Sequence, residues 1–92
     1  MIVRILGEGQ LQVDDSTSAE LNSLDAALEK AVHSGDEPAF RSALLALLNR
    51  VRELGTPLAA DFLEPSDSIL PRADADLDEV RSLLTDEGYI PG

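Results

Sequence analysis

Apolar positions run at strand period near the amino end and then change to a helical repeat. Residues 2–6 (Ile-Val-Arg-Ile-Leu) are apolar at four of five positions, and Gln10, Leu11, Gln12 and Val13 alternate like a strand with one wet face. Between them Gly7-Glu8-Gly9 supplies glycines for a tight turn, so the pattern predicts a β-hairpin. The more apolar first run is expected to be the central strand. Its free edge would accept a third strand, for which Ser68-Ile69-Leu70 is the other candidate, with Pro65 and Pro71 suited to an edge.

A 3.6-residue repeat follows. Helix one is predicted from Thr17, where Thr17-Ser18-Ala19-Glu20 has capping-box spacing, with Leu21, Leu24, Leu28 and Val32 on one face and a stop at Ser34-Gly35. Helix two opens at Asp36-Glu37-Pro38 and carries Phe40, Leu44, Leu47, Leu48, Val51 and Leu54 to Gly55-Thr56-Pro57. So short a connection makes the pair an antiparallel hairpin. Residues 56–75 are the least regular stretch, with Leu58, Phe62 and Leu63 expected to pin them down. Asp76 then caps helix three, with Leu77, Val80, Leu83 and Leu84 as its buried stripe and Gly88-Tyr89-Ile90-Pro91 closing it. The expected fold class is α+β, in the order β-β-α-α-β-α. It is a small three-stranded sheet, an N-terminal hairpin plus one short late strand, packed on one side against an antiparallel helix hairpin and a C-terminal helix.

Composition narrows the function classes. At 92 residues the chain reads as a single domain over residues 1–92, and aromatics at 3% leave its core to Leu, Ala, Val and Ile. The absence of Cys removes disulfides, thiolate nucleophiles and thiolate metal sites. Strand pattern from Met1 onward leaves no room for an export signal, and the longest apolar run, residues 43–48, is too short to span a bilayer. A cytoplasmic location is expected. The net charge of −11 repels nucleic-acid phosphates and anionic lipid, so the natural complement is a basic protein surface, with neither nucleic-acid binding nor direct membrane insertion expected.

The candidate chemistry is thin. Asp74, Asp76 and Asp78 hold the first alternate positions of a calcium loop, but Glu79 stands where the turn needs Gly and Thr85 where a bidentate Glu is needed. An acidic helix start accounts for them. His33, the one histidine, lies in the last turn of helix one, where it is expected to interact with free carbonyls; it has no companion nucleophile or ligand. Ser66, Asp67 and Ser68 read as a turn with local hydrogen bonds. The pairs Asp14-Asp15 and Asp86-Glu87 read as solvating charge, and Gly7-Glu8-Gly9 lacks both the third glycine and the helix of a dinucleotide loop. Arg41, Arg50, Arg52, Arg72 and Arg81 are expected to pair with neighbours such as Glu37, Glu53 and Asp78. No catalytic residue, metal ligand or cofactor is expected.

Residues 1–10, Leu21-Asn22-Ser23-Leu24-Asp25, Gly35-Asp36 with Phe40, Ser66-Asp67 through Pro71, and the ending Asp86-Glu87-Gly88-Tyr89-Ile90-Pro91-Gly92 together resemble the PspA-associated protein family, PspAA. The likeness covers essentially the whole chain. It implies a small cytoplasmic protein acting beside phage-shock protein A, the membrane-stress effector that builds helical assemblies on damaged membranes, and reaching the membrane through that partner. No catalytic residues are carried over.

The expected function is a non-enzymatic adaptor or regulator binding phage-shock protein A or its membrane partners through an acidic surface. Two contact surfaces are expected: the sheet edge with Glu64, Ser66, Asp67, Ser68, Ile69 and Leu70, or the outer face of the helix hairpin near Leu45 and Leu54. Two other readings stay open. One is a small hydrolase or ligand-binding domain using the loop over residues 56–74, and the other is a structural homodimer through the free strand edge.

Overall fold

Gly7 and Gly9 take φ of 86° and 113°, the left-handed region open to glycine, and turn the amino-terminal chain back on itself. The computed structural model describes residues 1–59 and 65–83. Its elements are β1 (Ile2–Ile5), β2 (Gly9–Gln12), a 3-10 turn (Asp15–Thr17), α1 (Ser18–Ser34), α2 (Glu37–Leu54), β3 (Thr56–Pro57), β4 (Ser68–Leu70) and α3 (Leu77–Leu83). The α+β class is as expected. The sheet, however, has four strands rather than three, in the order β3-β2-β1-β4.

The fourth strand is Thr56–Pro57, at the start of the stretch read as irregular. It pairs antiparallel with β2, Leu11 opposite Pro57 and Gln12 opposite Thr56, and the Leu58 N–H continues the ladder to the Gln10 carbonyl at 3.0 Å. Gly55 makes this possible. A Cβ there would stand 2.8 Å from the Val51 carbonyl oxygen and 2.9 Å from Leu11 Cβ, so only glycine brings the end of α2 this close to β2. As expected, β1 is central: it pairs antiparallel with β2 (Val3 opposite Leu11) and parallel with β4 (Val3 opposite Ser68, Ile5 opposite Leu70).

Alternation along the strands sends Val3, Ile5, Leu11, Val13 and Leu70 into one buried cluster with Leu21, Leu28, Phe40, Leu44, Leu47, Leu48, Val51 and Val80 from the helices. The helices therefore cover one face of the sheet. Each fully buried Leu contributes about 1.5–3 kcal/mol of transfer free energy. On α1 the buried stripe runs Leu21, Asp25, Leu28, Val32, so Asp25, only 4% exposed, takes the place expected for half-buried Leu24. Asp25 has an interaction partner, and no buried side-chain polar atom among the described residues lacks one.

Two helix starts differ in detail. Asp14, not Thr17, opens the first helical segment: its carboxylate accepts the Ser16 N–H at 2.9 Å, which holds it below the usual carboxylate range. Thr17 donates its hydroxyl to the Asp14 carbonyl at 2.6 Å, and Glu20 accepts from Arg50, so the expected capping box does not form. Asp76 caps α3 as expected, accepting the Glu79 N–H at 2.7 Å, and Asp36, at the expected start of α2, accepts the Ala39 N–H at 3.1 Å. At the end of α1, Gly35 in the left-handed region donates to Ala31 and Val32, and Arg81 of α3 reaches the Val32 carbonyl at 3.2 Å. His33 is not the cap. It is exposed, 3.7 Å from Glu29 one turn back.

Candidate partner surface

The late strand β4 is an edge strand, and its sequence explains how it is held. Asp67 locks the entry with two contacts to Ile2, its carboxylate accepting the Ile2 N–H at 2.8 Å and its own N–H donating to the Ile2 carbonyl at 2.8 Å. Ser66 accepts a hydrogen bond from the Gln10 side-chain amide at 2.7 Å. Ser68 is 5% exposed and Leu70 fully buried, whereas Ile69 is 52% exposed. Of the residues expected at the edge contact, Ser66, Asp67, Ser68 and Leu70 are thus engaged within the fold and Ile69 faces solvent; Glu64 lies outside the described residues.

The Leu70 carbonyl accepts the Leu6 N–H at 3.0 Å, so Leu70 turns its main-chain groups toward β1. Alternation then points the N–H and C=O of Ile69 to the open side. Only three residues long and followed at once by Pro71, this edge offers little main chain to an incoming strand.

The sheet face opposite the helices carries Ile2 and Arg4 along β1 with Leu6 just past its end, Gln10 and Gln12 along β2, and Ile69 on β4. Ile2 and Gln10 are covered, while Arg4, Gln12, Leu6 (37% exposed) and Ile69 are not. A groove of about 460 Å³ opens beside Arg4, with Glu8, Gln10, Arg52, Leu58 and Ala59 among its lining residues. Glu8 and Arg52 close one end as an ion pair, with the Arg52 Nε donating at 2.9 Å. That guanidinium holds the Glu8 carboxyl below the usual carboxylate range. Among the described residues of the groove wall there is no serine, threonine or histidine.

A second surface is acidic. Asp36 and Glu37 at the start of α2, with Asp74, Asp76, Asp78 and Glu79 before and within α3, are all exposed. Arg41 gathers the two helix starts. Instead of pairing with Glu37, it donates to the Ala73 carbonyl at 2.5 Å and the Ala75 carbonyl at 2.8 Å while lying 5.2 Å above the Phe40 ring. Sequence reasoning named Arg41 as a helix-surface pair and passed over Arg4. The available signal for Arg4 was a charge at the outward position of an otherwise apolar strand.

Of the remaining arginines, Arg50 ties α2 to α1 through Glu20, and the other pairs are local. Arg50 bridges Glu20 and Glu53, and Arg81 approaches Asp78 at 3.7 Å. On the helix hairpin Leu45 is 37% exposed, whereas Leu54 packs half-buried against the core. Among the described residues no cluster of metal-ligating side chains occurs, and no helix is long and apolar enough to cross a membrane.

No curated protein and no solved structure matches the chain. A family model described as PspA-Associated protein matches residues 1–92, and that description states an association, not a reaction. Its strand hairpin, helix pair and late edge strand all fall inside that match, and the chain belongs to the PspA-associated protein family.

Proposed function

We propose that this chain is a non-enzymatic adaptor or regulator in the membrane-stress response, cytoplasmic, and brought to the membrane by phage-shock protein A. The observation that carries the reading is the match to the PspA-associated family along residues 1–92. The contact runs through the acidic surface formed by Asp36, Glu37, Asp74, Asp76, Asp78 and Glu79. A net charge of −11, with these carboxylates gathered at the starts of α2 and α3, supports it: such a surface steers a basic partner into one orientation and rejects anionic lipid and nucleic acid.

Co-purification with phage-shock protein A at low and at raised salt tests the reading. The expected result is a complex at low salt that weakens as salt rises, because exposed charges separated by more than about 8 Å are screened at physiological ionic strength. Failure of the two purified proteins to associate at low salt would remove it. So would turnover of a metabolite by the pure chain, abolished by one substitution.

A further inference from the structure

Six arginines lie among the described residues, and five are engaged: Arg41 on loop carbonyls, Arg50 on Glu20 and Glu53, Arg52 on Glu8, Arg72 on Asp74 and Arg81 on Asp78. Arg4 has no hydrogen bond or ion pair among the described residues. In a chain with eighteen acidic residues that vacancy is not for want of carboxylates. Among the described residues that line the same groove the carboxylate is Glu8, and it is committed to Arg52.

Position makes Arg4 more than a stray surface charge. It lies on the central strand, in register with Gln10 on one side and Ile69 on the other, on the sheet face the helices leave open. Among the described residues the exposed large apolar side chains are Leu6, Leu45 and Ile69, and two of these, Leu6 and Ile69, share that face with Arg4. One cation flanked by apolar side chains, beside a groove of about 460 Å³, has the composition of a docking surface with a polar anchor.

The occupant follows from charge. A broadly acidic partner is repelled by a net charge of −11, and a basic one gains nothing from Arg4. We propose that this face docks a mainly apolar segment of phage-shock protein A carrying one carboxylate, which pairs with Arg4 while apolar neighbours cover Leu6 and Ile69. The inference rests on the proposed association and adds a second contact to it. The two contacts lie at opposite ends of α2, Arg52 at the groove and Glu37 at the acidic end. At ~1.5 Å per residue their separation along the helix is about 22 Å, enough for both to be occupied at once.

The test measures affinity of purified phage-shock protein A for the full chain and for Arg4→Gln, Arg4→Glu, Arg4→Lys and the double reversal Glu37→Lys/Asp78→Lys. Arg4 is exposed and unpartnered, so its variants are expected to melt like the parent. Arg4→Gln is expected to weaken binding about tenfold and Arg4→Glu more, with Arg4→Lys retaining part of the affinity. Losses from Arg4→Gln and the acidic-end reversal are expected to multiply, since sites this far apart act independently. Equal binding by parent and Arg4→Glu would overturn this inference and leave the association standing; no binding by the parent would remove both. A concentration-dependent dimer of the parent, dissociated by Ile69→Asp, would overturn it by giving the face to a second copy of this chain.

Discussion

Single side chains decide how the sheet meets the helices. Gly55→Ala places a methyl inside contact distance of the Val51 carbonyl and Leu11, with no unusual φ involved, so the cost is overpacking. A loss of about 1–3 kcal/mol is expected by chemical denaturation, with β3 detaching from β2. The Glu8–Arg52 pair carries a pH signature. Because the pair depresses the Glu8 pKa in the folded state, its contribution is complete above the unfolded carboxylate value of about 4.3 and disappears as pH falls through the folded value. The pair is partly exposed, so the difference between parent and Glu8→Gln is expected to stay within about 1 kcal/mol near pH 7 and to vanish in thermal melts as pH falls through the depressed folded value of Glu8. At this scale the sequence was legible where a residue acts on its own backbone, as Asp36, Asp76 and Gly35 do. It was not where a distant partner competes: Thr17 and Glu20 have capping-box spacing, yet Arg50, thirty residues away, takes the glutamate.

Periodicity made the long elements readable. Both helices of the hairpin end within a residue or two of their expected bounds, because each carries its own start and stop signals. β3 was hidden for the opposite reason: two residues, one of them proline, have no period, and its existence depends on α2 ending against Leu11. The split between buried and exposed positions of α2 gives a direct test. Leu47→Ala is expected to cost about 2–5 kcal/mol because its site is fully enclosed, whereas Leu45→Ala, 37% exposed, is expected to cost less than about 1 kcal/mol in the same denaturation series. If Leu45→Ala instead weakens the complex with phage-shock protein A, the outer helix face takes part in the contact.

Across the whole molecule, stability and the proposed association are expected to respond to ions in opposite directions. A net charge of −11 on so short a chain repels itself, so raising salt from about 10 mM to 150 mM is expected to raise the melting temperature. The same addition is expected to weaken the complex formed through the acidic surface. A joint rise of both, measured in one titration, would assign the contact mainly to apolar surface. Net charge was plain in the sequence, but its distribution was not. The grouping of carboxylates at two helix starts depends on Arg41 drawing residues 73–75 against α2, and the isolation of Arg4 depends on where every other arginine goes.

The parallel pairing of β1 with β4 also bears on how the protein is made. Residues 2 and 67 join across 65 positions, so β1 is synthesised well before its second neighbour, β4, exists. Until then a growing chain displays an unclosed, apolar ribbon in a crowded cell. Shortened products ending before residue 66 should accordingly be captured by chaperones or proteases, while the 92-residue chain escapes.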